Sequence, residues 1–128
     1  MPSRQEEFRN RTKRFAFRII HLFQALPGTT AAQILGKQLL RSGTSVAANY
    51  RAVGRARSRA EFIAQLGVVI EEADETAFWL ECLIESRILP SERLQSLLKE
   101  ADELVAIFAA AERTARANSG KKVPGSFT

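Results

Sequence analysis

Apolar residues recur along this chain at intervals of three and four, the period of helices that each bury one face. Phe8, Phe15, Ile19, Leu22 and Leu26 share one stripe, which predicts a helix from Arg4 or Gln5 to Leu26, ended by Pro27 and Gly28. Thr30 is the expected cap of a second helix, with Gln33 three residues on completing a capping box. Its inward positions read Leu35, Leu39, Ser42, Val46, Asn49 and Val53, several of them small or polar, which suits close helix approach or an inward hydrogen-bonded network. Gly43 weakens that helix by about 1 kcal/mol relative to Ala without ending so long a run. Ser58 with Glu61 repeats the capping signature and predicts a break near Arg57. The third helix then sets Phe62, Leu66, Val69, Ala73, Ala77, Leu80 and Ile84 on one stripe. Beyond Pro90 and Ser91, a fourth carries Leu94, Leu97, Leu98, Ala101, Leu104, Val105, Phe108 and Ala111 and fades near Asn118.

No strand-like alternation of useful length interrupts this pattern, and the joins are short. Short joins favour antiparallel neighbours, so the expected fold is all-α, an antiparallel up-down-up-down four-helix bundle over residues 1–118. The tail over residues 119–128, with Gly120, Pro124 and Gly125 beside Lys121 and Lys122, is expected to be disordered.

Composition narrows the chemistry more than it names a function. The 128 residues are 45% hydrophobic and 26% charged, the balance of a folded domain. No apolar run approaches the roughly 20 residues that span a bilayer, and the N-terminus has no secretory signal pattern, so a cytoplasmic protein without stable membrane association is expected. Cys82 is the sole cysteine, which excludes an intrachain disulfide and a thiolate-rich metal site. It reads as an ordinary packed thiol. His21 has no partner histidine at metal-ligand spacing, and the acidic run Glu71, Glu72, Asp74, Glu75 lacks the Glu-x-x-His pattern of carboxylate-bridged metal bundles. Nor is there a glycine-rich phosphate loop between a strand and a helix. These absences point away from an enzyme, a metal site and a cofactor.

Charge is where the sequence is least ordinary. The net formal charge of +5 conceals a division: residues 1–60 carry twelve Lys or Arg against Glu6 and Glu7, while residues 61–110 carry eleven acidic residues against Arg87, Arg93 and Lys99. Either the basic half offers a face to a polyanion, or the two halves neutralise one another when helices pack. Lys37, Arg41, Thr44, Ala48, Arg51, Arg55 and Arg59 approximate one stripe if the second helix continues far enough, with Arg57 near its end. Lys37, Arg51, Arg55, Arg57 and Arg59 are therefore the candidate nucleic-acid contacts, and they suit phosphates rather than base edges.

The run Gln38-Leu39-Leu40-Arg41-Ser42-Gly43-Thr44-Ser45-Val46-Ala47-Ala48-Asn49 resembles the signature of the bacterial four-helix-bundle proteins encoded in intervening sequences of 23S ribosomal RNA genes. The likeness continues through Arg55, Ser58, Glu61-Phe62 and Leu66 to Glu71-Glu72-Ala73-Asp74-Glu75 and Trp79-Leu80, covering roughly residues 10–110. The resemblance implies an antiparallel bundle that self-associates, with a homopentamer favoured. It also implies an architecture shared with the accessory variability proteins of diversity-generating retroelements, which work with nucleic acid. Where the usual pattern has Asn, two residues, then Glu-Gly, this chain has Asn49-Tyr50-Arg51-Ala52-Val53-Gly54, so no acidic role passes to Ala52. By the same resemblance Arg41, Ser45, Asn49 and Glu72 are candidates for an inward polar network or a subunit contact. If the Arg41–Glu72 pair is fully buried, Arg41→Ala is expected to be costly. Two functions stay open: an oligomer associated with RNA or DNA, and a structural or protein-adaptor oligomer with no nucleic-acid role.

Overall fold

The computed structural model describes residues 1–118, which form four α-helices: α1 (Arg4–Gln24), α2 (Thr30–Val53), α3 (Arg59–Glu85) and α4 (Ser91–Ala117). The tail expected to be disordered lies outside the described residues. Three helices begin on a hydroxyl that accepts the backbone N–H three residues on: Ser3 from Glu6 at 3.1 Å, Thr29 from Ala32 at 3.3 Å and Ser58 from Glu61 at 3.1 Å. The second cap is thus Thr29 and not Thr30. Gln33 does not close a box there, because its carboxamide donates to the Pro27 carbonyl at 3.0 Å. Glu61 likewise turns forward along α3, where its carboxylate accepts from Gln65 at 3.2 Å.

The α3–α4 connection has a different device. Arg87 adopts φ 60, the Ile88 N–H reaches back to the Leu83 carbonyl at 3.1 Å, and the Arg87 N–H reaches the Ile84 carbonyl at 3.0 Å. Those two bonds close a Schellman turn, which turns the chain sharply but asks for a left-handed residue that is usually glycine.

Packing follows chain order: α1 on α2, α2 on α3 and α3 on α4 lie closely along their lengths, whereas the α1 and α4 backbones approach at only a few places. This is the up-down bundle expected from the short joins. The core stripes match the predicted positions at Phe8, Phe15, Ile19, Leu39, Val46, Leu66, Val69, Ala73, Leu80, Leu94, Ala101, Leu104 and Phe108, all buried. In α2 the inward position near the C-terminal end is Tyr50, 8% exposed, in place of the half-buried Asn49.

Gly43 explains how closely α1 and α2 meet. A Cβ there would stand 2.7 Å from Ile19 Cγ1 and 2.8 Å from Ile19 Cγ2, so the glycine makes room for the Ile19 side chain. Thr12, Ser42 and Thr76 are the buried polar side chains among the described residues. Thr12 donates to the Phe8 carbonyl at 2.8 Å, while Thr76 Oγ1 lies 2.7 Å from the Glu72 carbonyl and 2.9 Å from Ser42 Oγ.

Candidate nucleic-acid interface

Antiparallel packing brings the basic first half of the chain against acidic segments of the second. Across α1 and α4, Arg11 grips Glu100 with two hydrogen bonds, Nε to Oε2 at 2.8 Å and Nη2 to Oε1 at 2.7 Å, and its Nη2 lies 3.4 Å from Glu103. Bidentate pairing of this kind fixes orientation as well as adding Coulomb attraction. Across α2 and α3, Arg41 pairs with Glu72 at 3.1 Å and also with Glu75. Glu75 in turn accepts the Trp79 indole N–H at 3.0 Å. That indole bond is the main reason the Glu75 carboxyl sits below its ordinary pKa; partial burial opposes it and Arg41 reinforces it. Part of the charge asymmetry is thereby cancelled inside the bundle.

The four polar candidates do not form one buried network. Arg41 reaches Glu72, but its side chain is 50% exposed, so the pair sits at the surface of the chain. Asn49 Nδ2 donates to the Ser45 carbonyl at 2.8 Å, a contact along α2 and not across helices. The buried polar contact between α2 and α3 belongs to the neighbouring pair, Ser42 and Thr76, because the inward face of α2 at this level is the Ser42 face.

The basic stripe is also shorter than its spacing suggested. α2 ends at Val53, and Ser58 starts α3, so Arg59 belongs to another helix; there it is half-buried and donates to the Asn118 carbonyl at the end of α4. Arg41 is occupied by two carboxylates. Lys37, Arg51, Arg55 and Arg57 remain exposed and make no ion pair among the described residues.

Arg51 and Arg55 acquire a neighbour that stripe counting within one helix did not supply. The start of α1 lies beside the end of α2, and Arg9 joins Arg51 and Arg55 around a small polar cavity of about 60 Å³ that also touches Gln5, Tyr50 and Gly54. No carboxylate lines it. Gly54 has no side chain to compete for the space: a Cβ there would collide with the Gln5 carboxamide. The signal that could have found Arg9 is the antiparallel register itself, since residues near 5–9 must face residues near 50–55.

Three arginines around one cavity, from α1, α2 and the turn after α2, with no ion-pair partner among the described residues, form a cationic site suited to an anion such as a phosphate. Among the described residues there is no cluster of His, Cys, Asp and Glu that could hold a metal ion, and no helix is long and apolar enough to cross a membrane. Cys82 is half-buried, and burial, followed by Glu85 and Glu81, raises its thiol pKa, which disfavours the reactive thiolate.

The family model for the 23S rRNA-intervening sequence protein matches residues 4–110, spanning all of α1 through α3 and most of α4. The chain belongs to this family. Among solved structures, it is similar to a protein of unknown function from the S23 ribosomal protein family of Bacteroides thetaiotaomicron VPI-5482, with 35% identity and a TM-score of 0.76. That match covers 81% of this chain and 96% of the other. No curated protein matches the chain.

Proposed function

We propose that this member of the 23S rRNA-intervening sequence protein family is a non-enzymatic, cytoplasmic, self-associating helical bundle that binds RNA or another nucleic acid through phosphate contacts on its first two helices. The observation that carries the reading is the convergence of Arg9, Arg51 and Arg55 on one cavity without a carboxylate, while Arg11 and Arg41 are already committed to Glu100, Glu72 and Glu75. Lys37, near the start of α2, and Arg57, in the turn after it, are further exposed cations. Structured RNA ranks ahead of duplex DNA because the family takes its name from a ribosomal RNA gene element. A homopentamer, favoured by the family resemblance, would repeat the patch and multiply weak individual contacts into avidity.

A structural or protein-adaptor role is the second reading. It is favoured by Phe17, Ile34 and Phe78, which are each more than half exposed although large and apolar.

The discriminating experiment titrates the nuclease-treated protein, of known oligomeric mass, against structured RNA, duplex DNA and a non-nucleic polyanion at several salt concentrations. Arg51→Glu/Arg55→Glu serves as the control, provided that its assembly is unchanged. Phosphate recognition predicts affinity that falls steeply with salt, stronger for RNA than for the other two and lost in the variant. No binding near physiological salt, or equal binding to every polyanion, would favour the adaptor reading.

A further inference from the structure

Next to the cationic cavity, and sharing Gln5 and Tyr50 with it, is a second cavity of about 220 Å³ at the same end of the bundle. Phe8, Tyr50, Phe62, Phe108, Leu66 and Ile107 supply most of its wall, one or two from each helix. Three of the rings are braced against one another: Tyr50 stacks on Phe108 at 5.1 Å between centroids, Phe8 meets Phe108 edge-on at 5.6 Å, and Phe8 and Tyr50 are 6.4 Å apart. Mutual bracing holds the rings in place around the cavity.

Apart from the Tyr50 hydroxyl, the polar lining comes from the first turn of α1. Arg4 and Gln5 line the cavity, and the Arg4 guanidinium lies 5.2 Å from the centre of the Phe8 ring. The Tyr50 ring is buried, while its hydroxyl has no hydrogen-bond partner among the described residues and reaches solvent. Burial raises the Tyr50 pKa, with Arg4 and Arg9 partly opposing, so the phenol stays protonated at neutral pH and remains a donor. Neither cavity is lined by a carboxylate.

Apolar walls, a free phenol donor and guanidinium groups at one edge describe a site for a molecule with an apolar body and an anionic head. A nucleobase fits poorly, because its edge donors and acceptors would face ring carbons and methyl groups, and a buried polar group without a partner is costly. A hydrocarbon tail leaves nothing unsatisfied. We propose that this cavity binds a medium-chain alkyl carboxylate, its tail among Phe8, Phe62, Leu66 and Phe108 and its head at Arg4 and the Tyr50 hydroxyl.

Calorimetric titration of the full chain with sodium octanoate, below its micelle-forming concentration, tests this against 1-octanol and inorganic phosphate. Octanoate is expected to bind once per chain and about tenfold or more tighter than 1-octanol, the increment of a hydrogen bond to a charged group. Phosphate, which has no tail, should leave the octanoate affinity nearly unchanged when present in excess, whether or not it occupies the neighbouring cationic cavity; loss of octanoate binding to phosphate would overturn the proposal. Arg4→Gln should bring octanoate down to the affinity of octanol while leaving octanol unchanged. Ala111→Leu, which fills the cavity from α4, should abolish binding of both while far-ultraviolet circular dichroism stays helical. Should that variant misfold, isotope-filtered NOEs in the unaltered protein serve instead: octanoate methylenes must contact the Phe8 and Phe108 ring protons. Absence of octanoate binding, equal affinity for octanoate and octanol, insensitivity to Arg4→Gln, or NOEs elsewhere on the surface would overturn the proposal.

Discussion

The Thr76 hydroxyl of α3 lies 2.9 Å from the Ser42 hydroxyl of α2, and neither side chain is exposed to solvent. Thr76 has a second partner in the Glu72 carbonyl at 2.7 Å, whereas Ser42 has only the more distant Leu39 carbonyl at 3.3 Å. Each hydroxyl carries one proton and two acceptor sites, so the pair satisfies itself with help from its own helices. Removing one member leaves the other short of a partner. Ser42→Ala and Thr76→Val should each lower stability in urea by about 1–2 kcal/mol, and the double variant should lose clearly less than the sum.

Arg11 and Glu100 are 26% and 17% exposed, sheltered enough for their paired bonds to count. Hydrogen bonding from Arg11 is the largest influence holding the Glu100 carboxyl below its ordinary pKa, with burial opposing it. A lowered carboxylate contributes stability that is complete above the unfolded value and disappears as pH falls through the native one. Arg11→Met should therefore cost on the order of 1–2 kcal/mol at neutral pH. The gap between variant and parent should narrow as pH is taken below the ordinary carboxylate range, which urea unfolding at stepped pH would show.

For Arg41, half exposure reverses the expectation of a large loss. Arg41→Ala should lower the melting temperature only slightly, and by less again in high salt, because water and ions already screen the pair. A large, salt-independent loss in the assembled protein would mean that a second copy buries this residue.

Arg87 supplies a left-handed backbone where a glycine would be unstrained. Arg87→Gly should stabilise the chain by about 1 kcal/mol, the strain released exceeding the added freedom of the unfolded state. Thermal unfolding is the readout. A loss of stability would show that the Arg87 side chain makes a compensating contact.

Gly43→Ala poses helix propensity against space. The gain of about 1 kcal/mol from a better helix former is outweighed by forcing α2 away from Ile19, so a net loss of about 1–2 kcal/mol is expected. In an Ile19→Ala background the same substitution should become neutral or favourable, since the clashing Cγ atoms are gone.

Much of the architecture was legible because helical periodicity and burial are the same fact seen twice: Phe15 and Ile19 in α1, and Leu66, Val69 and Ala73 in α3, repeat at helical spacing because each faces the interior. The family resemblance grouped Glu72 with Arg41, and the two do pair, but at the surface of the chain and not in an inward network. What spacing could not give was depth. The inward stripe read for α2 placed Ser42 inside correctly, but a one-position offset decides whether Tyr50 or Asn49 points inward, and that offset is set by how α1 and α3 dock on α2. Arg59 was misplaced for a related reason: counting by threes and fours assumes one unbroken helix, and the turn after Val53 resets the count. The cationic cavity needed two helices at once. No pattern local to α2 contains Arg9.

The uneven seams of the bundle bear on how it breathes. Between α1 and α4 the backbones stand apart and side chains such as Phe8, Phe108, Arg11 and Glu100 bridge the interval. Opening a seam made of side chains disturbs no backbone hydrogen bond, so it lies at the low-energy end of the molecule's fluctuations. Solvent or a small solute can pass there by rotation of a few bonds while every helix keeps its amide protons. Traffic through this side should leave hydrogen exchange in α2 and α3 at the rate of global unfolding.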